Sequence, residues 1–432
     1  MKNSLLIDPA QLRVGMFVQL DIGWMHHPFP VSSFRISSSA QIDTLRSLGL
    51  EKVRYFPEKG DLFPNETVLE KAGSAGLERG DAMPEAQVSS PIAGAVDPSA
   101  QASGPSAYRQ SLARCDQRFM VATQRYCALV AAAADNISYA RDTSRELVSE
   151  CVDALLHSGD SVIRLLSEGV GERSALHPVN VMVLSLLLGK AQGMAAEELQ
   201  DLGLAALLHD LGKMHLRQKG VWTPEILSAA ELALYQSHVG KSVALAQRMG
   251  FSSAVLTAIA QHHEMADGSG FPLHLLGDDM GKAGRILALV NRYDGLCNPA
   301  RAADALTPHE ALSVLFAQFK GQFEAVTLGA FIRMMGVYPP GSIVQLVNDQ
   351  FAIVLSVNSS RPLRPKVMVH DPRVPQGQAP VLDLESVPEL GIRRSLKPAQ
   401  LPRAALDYLS PRERICYFFD RAVDTGSHGA DL

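Results

Sequence analysis

The stretch Asp201–Lys213, DLGLAALLHDLGK, decides how this chain is read. DLGLAALL is an apolar helical segment, and it delivers His209 and Asp210 side by side, with Gly212 and Lys213 directly behind them. Imidazole nitrogens bind Fe, Mn, Zn and Ni well, and a carboxylate beside a histidine can bridge two ions. Neighbouring positions on a helix diverge by about 100 degrees, so this pair can serve two ions only if the carboxylate is the bridge.

Working outward, further donors lie at His177, His238, His262, His263 and Asn291, the last a weaker donor than the others. Residues 174–336 repeat apolar positions at a period near 3.6, with breaks at Gly193, Gly220, Gly250 and Gly268–Gly270. That pattern predicts an all-α bundle carrying the candidate ligands. The remaining histidines, His157, His215, His274, His309, His370 and His428, read as core or surface residues, and the adjacent His26 and His27 as packing or turn residues.

Three separated motifs then fall in order: HDLGK (His209–Lys213), HHEMADGSGFP (His262–Pro272) and RILALVNRYDGL (Arg285–Leu296). Through them Arg173–Asp294 resembles the HD-GYP phosphodiesterase family, the metal-dependent hydrolases of cyclic di-GMP. The resemblance implies an HD-type bundle and two divalent transition metal ions, Fe or Mn. His177, His209, Asp210 and Asn291 would surround one ion, and Asp210, His238, His262 and His263 the other. It also implies a hydroxide held between the ions that attacks phosphorus, giving pGpG or GMP. Asp210 and Lys213 would be the catalytic pair, Lys213 clamping a phosphate as a point charge. Asp267, Gly268, Gly270, Phe271 and Pro272 would form a substrate-binding lip, in which Phe271 keeps the stacking face of the family's tyrosine and lacks its hydroxyl.

Two departures bear on activity. Asn291 stands where the family has an aspartate ligand, and a neutral amide holds a cation less firmly. Asp294, three residues on and on nearly the same helical face, is a candidate substitute. Arg173 occupies the place of the glutamate found in trinuclear members, and a guanidinium cannot ligate a metal, so a third ion is disfavoured. The main alternative to an active enzyme is therefore a degenerate module that senses a nucleotide or binds proteins. A third reading, an HD hydrolase of another phosphate ester, is disfavoured by Lys213 and the DGSGFP lip.

Around this core, the 432 residues allow two or three domains. A net charge of −5 argues against a general nucleic-acid or membrane-surface binder. No apolar run reaches the roughly 18 residues of a membrane span, and the N-terminus lacks the apolar core of a secretory signal. Five scattered cysteines, Cys115, Cys127, Cys151, Cys297 and Cys416, form no CxxC pair, so a reducing cytoplasm is expected.

Residues 1–72 read as a small α+β domain, with strands in LRVGMFVQLDI and KVRYFPE and a short helix in SSSAQIDTLRSLGL, similar to the domain often found ahead of HD-GYP domains. Residues 73–107, rich in Gly, Ala, Ser and Pro, read as a flexible linker. The helical domain spans 108–340, with its core at 173–336. The helices of 108–166 are a candidate homodimer contact, although a plain intramolecular bundle fits them equally. SIVQLVN, FAIVLSVN and KVMVHD mark a small β appendage over 341–400, and 401–432 reads as a C-terminal tail. Cyclic di-GMP and, through the family, diguanylate cyclase proteins are the expected partners. Limited proteolysis should cut between about Ala72 and Ala107 and leave an intact fragment starting near Tyr108; preferred cleavage inside Arg173–Asp294 would contradict these boundaries.

Overall fold

The computed structural model describes residues 4–20, 33–36, 42, 45–46, 50, 52–57, 105–157, 159–216, 227–359, 361–387 and 389–422. The chain divides into two compact units, Met1–Val96 and Asp97–Leu432. His26, His27, His428 and nearly all of the expected linker lie outside the described residues.

In the first unit, four short strands, β1 (Leu5–Ile7), β2 (Phe17–Gln19), β3 (Ser33–Arg35) and β4 (Val53–Tyr55), form an antiparallel sheet in the order β1-β4-β2-β3. Gly15, at φ 95°, makes the bend before β2, a conformation that favours glycine. Val18, Ile36, Leu45 and Val53 close a small core. The helix expected after β3 lies largely outside the described residues.

The second unit opens with two long helices, α1 (Pro105–Ala132) and α2 (Ile137–His157). The chain then makes a strand, β5 (Ser161–Leu165), before continuing into α3 (Leu176–Ala191), α4 (Ala196–Leu208), α5 (Ala229–Arg248), α6 (Ser253–Ala260), α7 (Lys282–Cys297), α8 (Pro308–Ala317) and α9 (Ala325–Met335). α3 is apolar all round, PVNVMVLSLLLG, and is buried on every face, as such a helix must be. By length and composition Arg173–Ala191 is apolar enough to cross a membrane, yet 72% of it is buried inside the fold, as the central helix on which the others pack. Ser228 and Glu231 form a capping box that starts α5.

Beyond α9 come β6 (Ile343–Leu346), β7 (Phe351–Asn358), β8 (Arg361–Val369), β9 (Val381–Asp383), β10 (Ile392–Leu396), α10 (Arg403–Leu409) and β11 (Tyr417–Arg421). With β5 they build a seven-stranded antiparallel sheet, and its central path runs β10-β6-β7-β5-β11. Two expectations need correction. The bundle is not purely helical, because SVIRL at 161–165 pairs with both β7 and β11; a β-branched run this short finds more partners in a sheet than in one helical turn. Nor is 401–432 a tail throughout. Tyr417, Phe418 and Phe419 are buried in the main core, and β11 pairs along its whole length with β5.

α1 grips this last strand. Ser111 Oγ and Arg114 donate to the Asp420 carboxylate, and the Arg118 guanidinium lies 4.7 Å from the Phe418 ring centre. Phe419→Ala is expected to destabilise the second unit by about 3–5 kcal/mol, the range for emptying a fully buried aromatic site. Urea denaturation followed by circular dichroism measures it, and a loss under about 1 kcal/mol would mean that the segment is indeed peripheral.

Candidate metal centre

The site forms where helix ends converge. His177 stands in the first turn of α3, and His209 terminates α4 with Asp210 immediately behind it. His238 projects from the middle of α5, His262 and His263 follow the end of α6, and Asn291 and Asp294 lie on α7. Gly212 lets the turn after Asp210 press onto α5: a Cβ there would fall 2.2 Å from the His238 carbonyl oxygen. Its N–H instead donates to Ser242 Oγ at 2.8 Å.

The result is a carboxylate inside a box of imidazoles. Asp210 Oδ2 lies 3.5 Å from both His177 Nε2 and His209 Nε2. Asp210 Oδ1 lies 3.3 Å from His238 Nε2 and 3.7 Å from His262 Nε2. Two groups of donor atoms, His177/His209/Asp210 and Asp210/His238/His262/His263, each fall within 4.8 Å of one another, and Asp210 belongs to both. The carboxylate thus turns one oxygen to each group.

The outer nitrogens fix which face each ring presents. Nδ1 of His209, His238 and His262 bonds to the main-chain oxygens of Ala206, Tyr235 and Ile259 at 2.7, 2.6 and 2.6 Å. A carbonyl can only accept, so each Nδ1 carries the proton and, in the neutral rings, each Nε2 lone pair points inward, the arrangement metal-ligating histidines adopt. His177 is held differently, its Nδ1 2.5 Å from Asp294 Oδ2. Asp210 Oδ1 and His263 Nε2 are buried without a hydrogen-bond partner. Such atoms are costly unless something neutralises them, and a cation between them does so.

Burial holds His209 neutral, pulling its pKa down to about 4; burial plus neighbouring imidazoles keeps His262, and burial plus the Lys213 charge keeps His263, well below the ordinary range. Burial opposes ionisation of Asp210 too, but Lys213 and the surrounding histidines outweigh it and keep the carboxylate charged. Lys213 Nζ sits 2.7 Å from Asp210 Oδ2. His177 is the exception among the rings. Burial lowers its pKa, but hydrogen bonds and charge from the Asp210 and Asp294 carboxylates outweigh that and raise it to about 9. Its side chain also borders an open cavity. Its Nε2 lies 3.1 Å from His209 Nε2, so the His177 proton occupies the space a cation would take.

That cavity, about 430 Å³, is lined by Tyr126, Pro178, Asp210, Lys213, Met214 and others, so α1 supplies part of its wall. Asp267, Gly268, Gly270 and Pro272 are not among its described lining residues. The lip instead packs on the second histidine group: Phe271 stacks on His263 with ring centres 4.5 Å apart, and Tyr235 meets Phe271 edge-on at 6.3 Å. Gly270 is the close approach, since a Cβ there would fall 2.3 Å from Met265 N.

Asp294 is no substitute ligand. One of its oxygens takes His177 Nδ1, and the other takes the amides of Asn180 and Asn298. Asn291 turns its amide nitrogen to the His262 carbonyl at 3.4 Å. The fully buried Glu264, to which sequence reasoning gave no role, accepts from Leu273 N at 2.6 Å and Leu275 N at 2.9 Å and so ties down the lip. A charge within HHE, next to so many apolar residues, was the available signal. Asn180 was also missed, although it is a lone amide within the apolar run of α3. Of the histidines set aside from the site, His157, His309 and His370 lie elsewhere, bonded to Asp153 O or packed beside Tyr338 and Tyr408.

Residues 161–323 match the family model described as HD domain, and residues 4–150 match a domain of unknown function, DUF3391. Residues 161–323 are an HD domain. The cyclic di-GMP phosphodiesterase PA4108 of Pseudomonas aeruginosa is 27% identical over 372 residues, covering 84% of each chain. The 3'3'-cGAMP-specific phosphodiesterase 2 of Vibrio cholerae is 30% identical over 186 residues, 43% of this chain and 33% of that protein. Together these matches bear out the HD-GYP resemblance carried by the three motifs. Among solved structures, Bd1817, a HDG"Y"P protein from Bdellovibrio bacteriovorus, aligns with 76% of this chain and 98% of its own at 17% identity and a TM-score of 0.39.

Because His177 carries the displaceable proton, a cation taken up beside it should release about one proton per ion near pH 7, and apparent affinity there should rise roughly tenfold per pH unit until about pH 9. Titration calorimetry with Mn²⁺ in two buffers of different ionisation enthalpy reads the proton count. A count of zero would show that His177 is already neutral.

Proposed function

We propose that the HD domain is a metal-dependent phosphodiesterase that hydrolyses a cyclic dinucleotide, cyclic di-GMP in the first instance, to pGpG or GMP. The observation that carries this reading is Asp210, whose two oxygens face separate histidine groups with inward Nε2 atoms. In this proposal a first position is formed by His177, His209 and Asp210 with Asn291 at its edge, and a second by Asp210, His238, His262 and His263. Inward-facing imidazole nitrogens, one bridging carboxylate and a buried orphan nitrogen on His263 suit divalent Fe or Mn. When bound, two such ions supply an activated water and neutralise charge on the phosphate oxygens.

The protein's own groups do the rest. Lys213, held charged beside Asp210, faces the cavity and binds a phosphate oxygen. The apolar cavity wall from Tyr126, Pro178 and Met214 accepts a nucleobase or ribose and displaces water from around the phosphate. Phe271, stacked on His263, is the outer wall of the second position, and Asp267, Gly268, Gly270 and Pro272 set its conformation. The named activities of the relatives, on cyclic di-GMP and on 3'3'-cGAMP, support the cyclic dinucleotide class. A cytoplasmic location, a homodimer through the 108–166 helices and association with diguanylate cyclase proteins belong to the same proposal.

Asn291 favours a second reading, a module that binds nucleotide without turnover, because it leaves Asp210 as the one carboxylate in the donor set of both positions. Restoring charge by Asn291→Asp tests the choice. A net gain of about 1.4 kcal/mol would tighten the first ion roughly tenfold. Turnover of cyclic di-GMP, with 3'3'-cGAMP in parallel, should rise at limiting Mn²⁺ and converge with wild type at excess. Asp210→Ala should abolish metal content and turnover with the helical signal retained. Should wild type and Asn291→Asp both stay inactive at every Fe and Mn concentration, the enzyme reading fails and the sensor stands.

A further inference from the structure

Three of the inward-facing histidines are aimed by a main-chain oxygen three residues earlier, but His177 is aimed by Asp294, a side chain on another helix. What holds Asp294 therefore holds His177. The Asp294 carboxylate is 1% exposed, and its Oδ1 accepts from Asn180 Nδ2 and, at 2.9 Å, from Asn298 Nδ2. Neither amide is complete by itself. Asn180 Oδ1 accepts from Tyr417 N at 2.8 Å, and its Nδ2 also donates to Ile415 O at 3.2 Å. Asn298 Oδ1 accepts from Ile415 N at 2.8 Å, and its Nδ2 also donates to Ile415 O at 2.8 Å. Residues 415–417, just entering β11, thus engage both the oxygen and the nitrogen of each amide, and each nitrogen is shared between Ile415 O and Asp294.

We infer that the C-terminal segment 415–417 acts through Asn180 and Asn298 as a positioning element for His177, so that the first metal position is assembled only when β11 is docked. An amide that loses the Ile415 and Tyr417 partners can rotate and present its oxygen to Asp294, which repels the carboxylate and frees the His177 ring. The second position has no such dependence, since His238 and His262 take their orientation from their own turns. The strand is itself clasped by α1, through Ser111 and Arg114 on Asp420, so a displacement of α1 reaches His177 by this route. The inference rests on the reading of His177 as a metal ligand.

The test is Mn²⁺ binding by the full chain, resolved into two steps by calorimetry, for wild type, His177→Ala, Asn180→Ala, Asn298→Ala and Tyr417→Phe, with melting temperatures for each. Loss of an outer hydrogen-bond partner typically weakens metal affinity about 10- to 100-fold. Asn180→Ala and Asn298→Ala should weaken the step that His177→Ala abolishes by about that factor and leave the other step unchanged. Tyr417→Phe removes the phenol's contacts with Tyr293 and Pro340 but keeps the main-chain N–H on Asn180, so it should lower the melting temperature without altering either step. Should Asn180→Ala not fold, the half-buried Asn298 carries the test. Equal weakening of both steps, or none in either asparagine variant while His177→Ala removes one, would overturn the inference. If His177→Ala leaves both steps intact, the ligand assignment fails instead and takes this inference with it.

Discussion

The structure around the site depends on one charged group, the Asp210 carboxylate, kept ionised in a nearly closed box of imidazoles. A buried carboxylate is stable only beside compensating charge or donors, and Lys213, with the basic His177 ring behind it, supplies positive charge to one oxygen. The other oxygen faces two imidazole nitrogens and has no hydrogen-bond donor, a setting that a cation would neutralise.

Helix ends are suited to building such a box. The last carbonyls of a helix have no partner further along the chain. His209 and His262 sit where α4 and α6 stop, and each places its Nδ1–H on an oxygen of the final turn. One hydrogen bond thereby completes the helix and orients the ligand. The lip behaves similarly, with a buried acid as its anchor: the two oxygens of Glu264 accept two main-chain N–H groups across the loop, and Gly270 allows the backbone to pass close enough for Phe271 to lie on His263.

His177 is the member of the set that local structure does not determine. It lies in the first turn of α3, its Nδ1 pairs with Asp294 and not with a main-chain oxygen of its own turn, and its orientation is borrowed from α7 and, beyond that, from the entry to β11. The same ring is part-exposed and basic. The two positions therefore differ in charge and in what orients their rings: His209, His238 and His262 are set by their own turns, and His177 by remote parts of the chain.

The sequence by itself determined the helical bundle of 174–336, the strands at 17–19 and 53–55, and the identity of the clustered histidines, because each depends on a short-range pattern: a 3.6 period, a β-branched run, or a motif of a few residues. The break at Gly193 was legible for the same reason, a glycine at φ 70° ending a helix. Only the tertiary structure decided that Ser161–Leu165 leaves the helical series to become a strand, that 417–419 is core, and that Asp294 orients His177 and does not replace Asn291. Each of these turns on partners far away in sequence, β5 with β7 and β11, Asp294 with Asn180 and His177. A short apolar strand or a buried carboxylate carries no local mark of its partner; the hydrogen bonds that define its role exist only once the chain has brought the other half into reach.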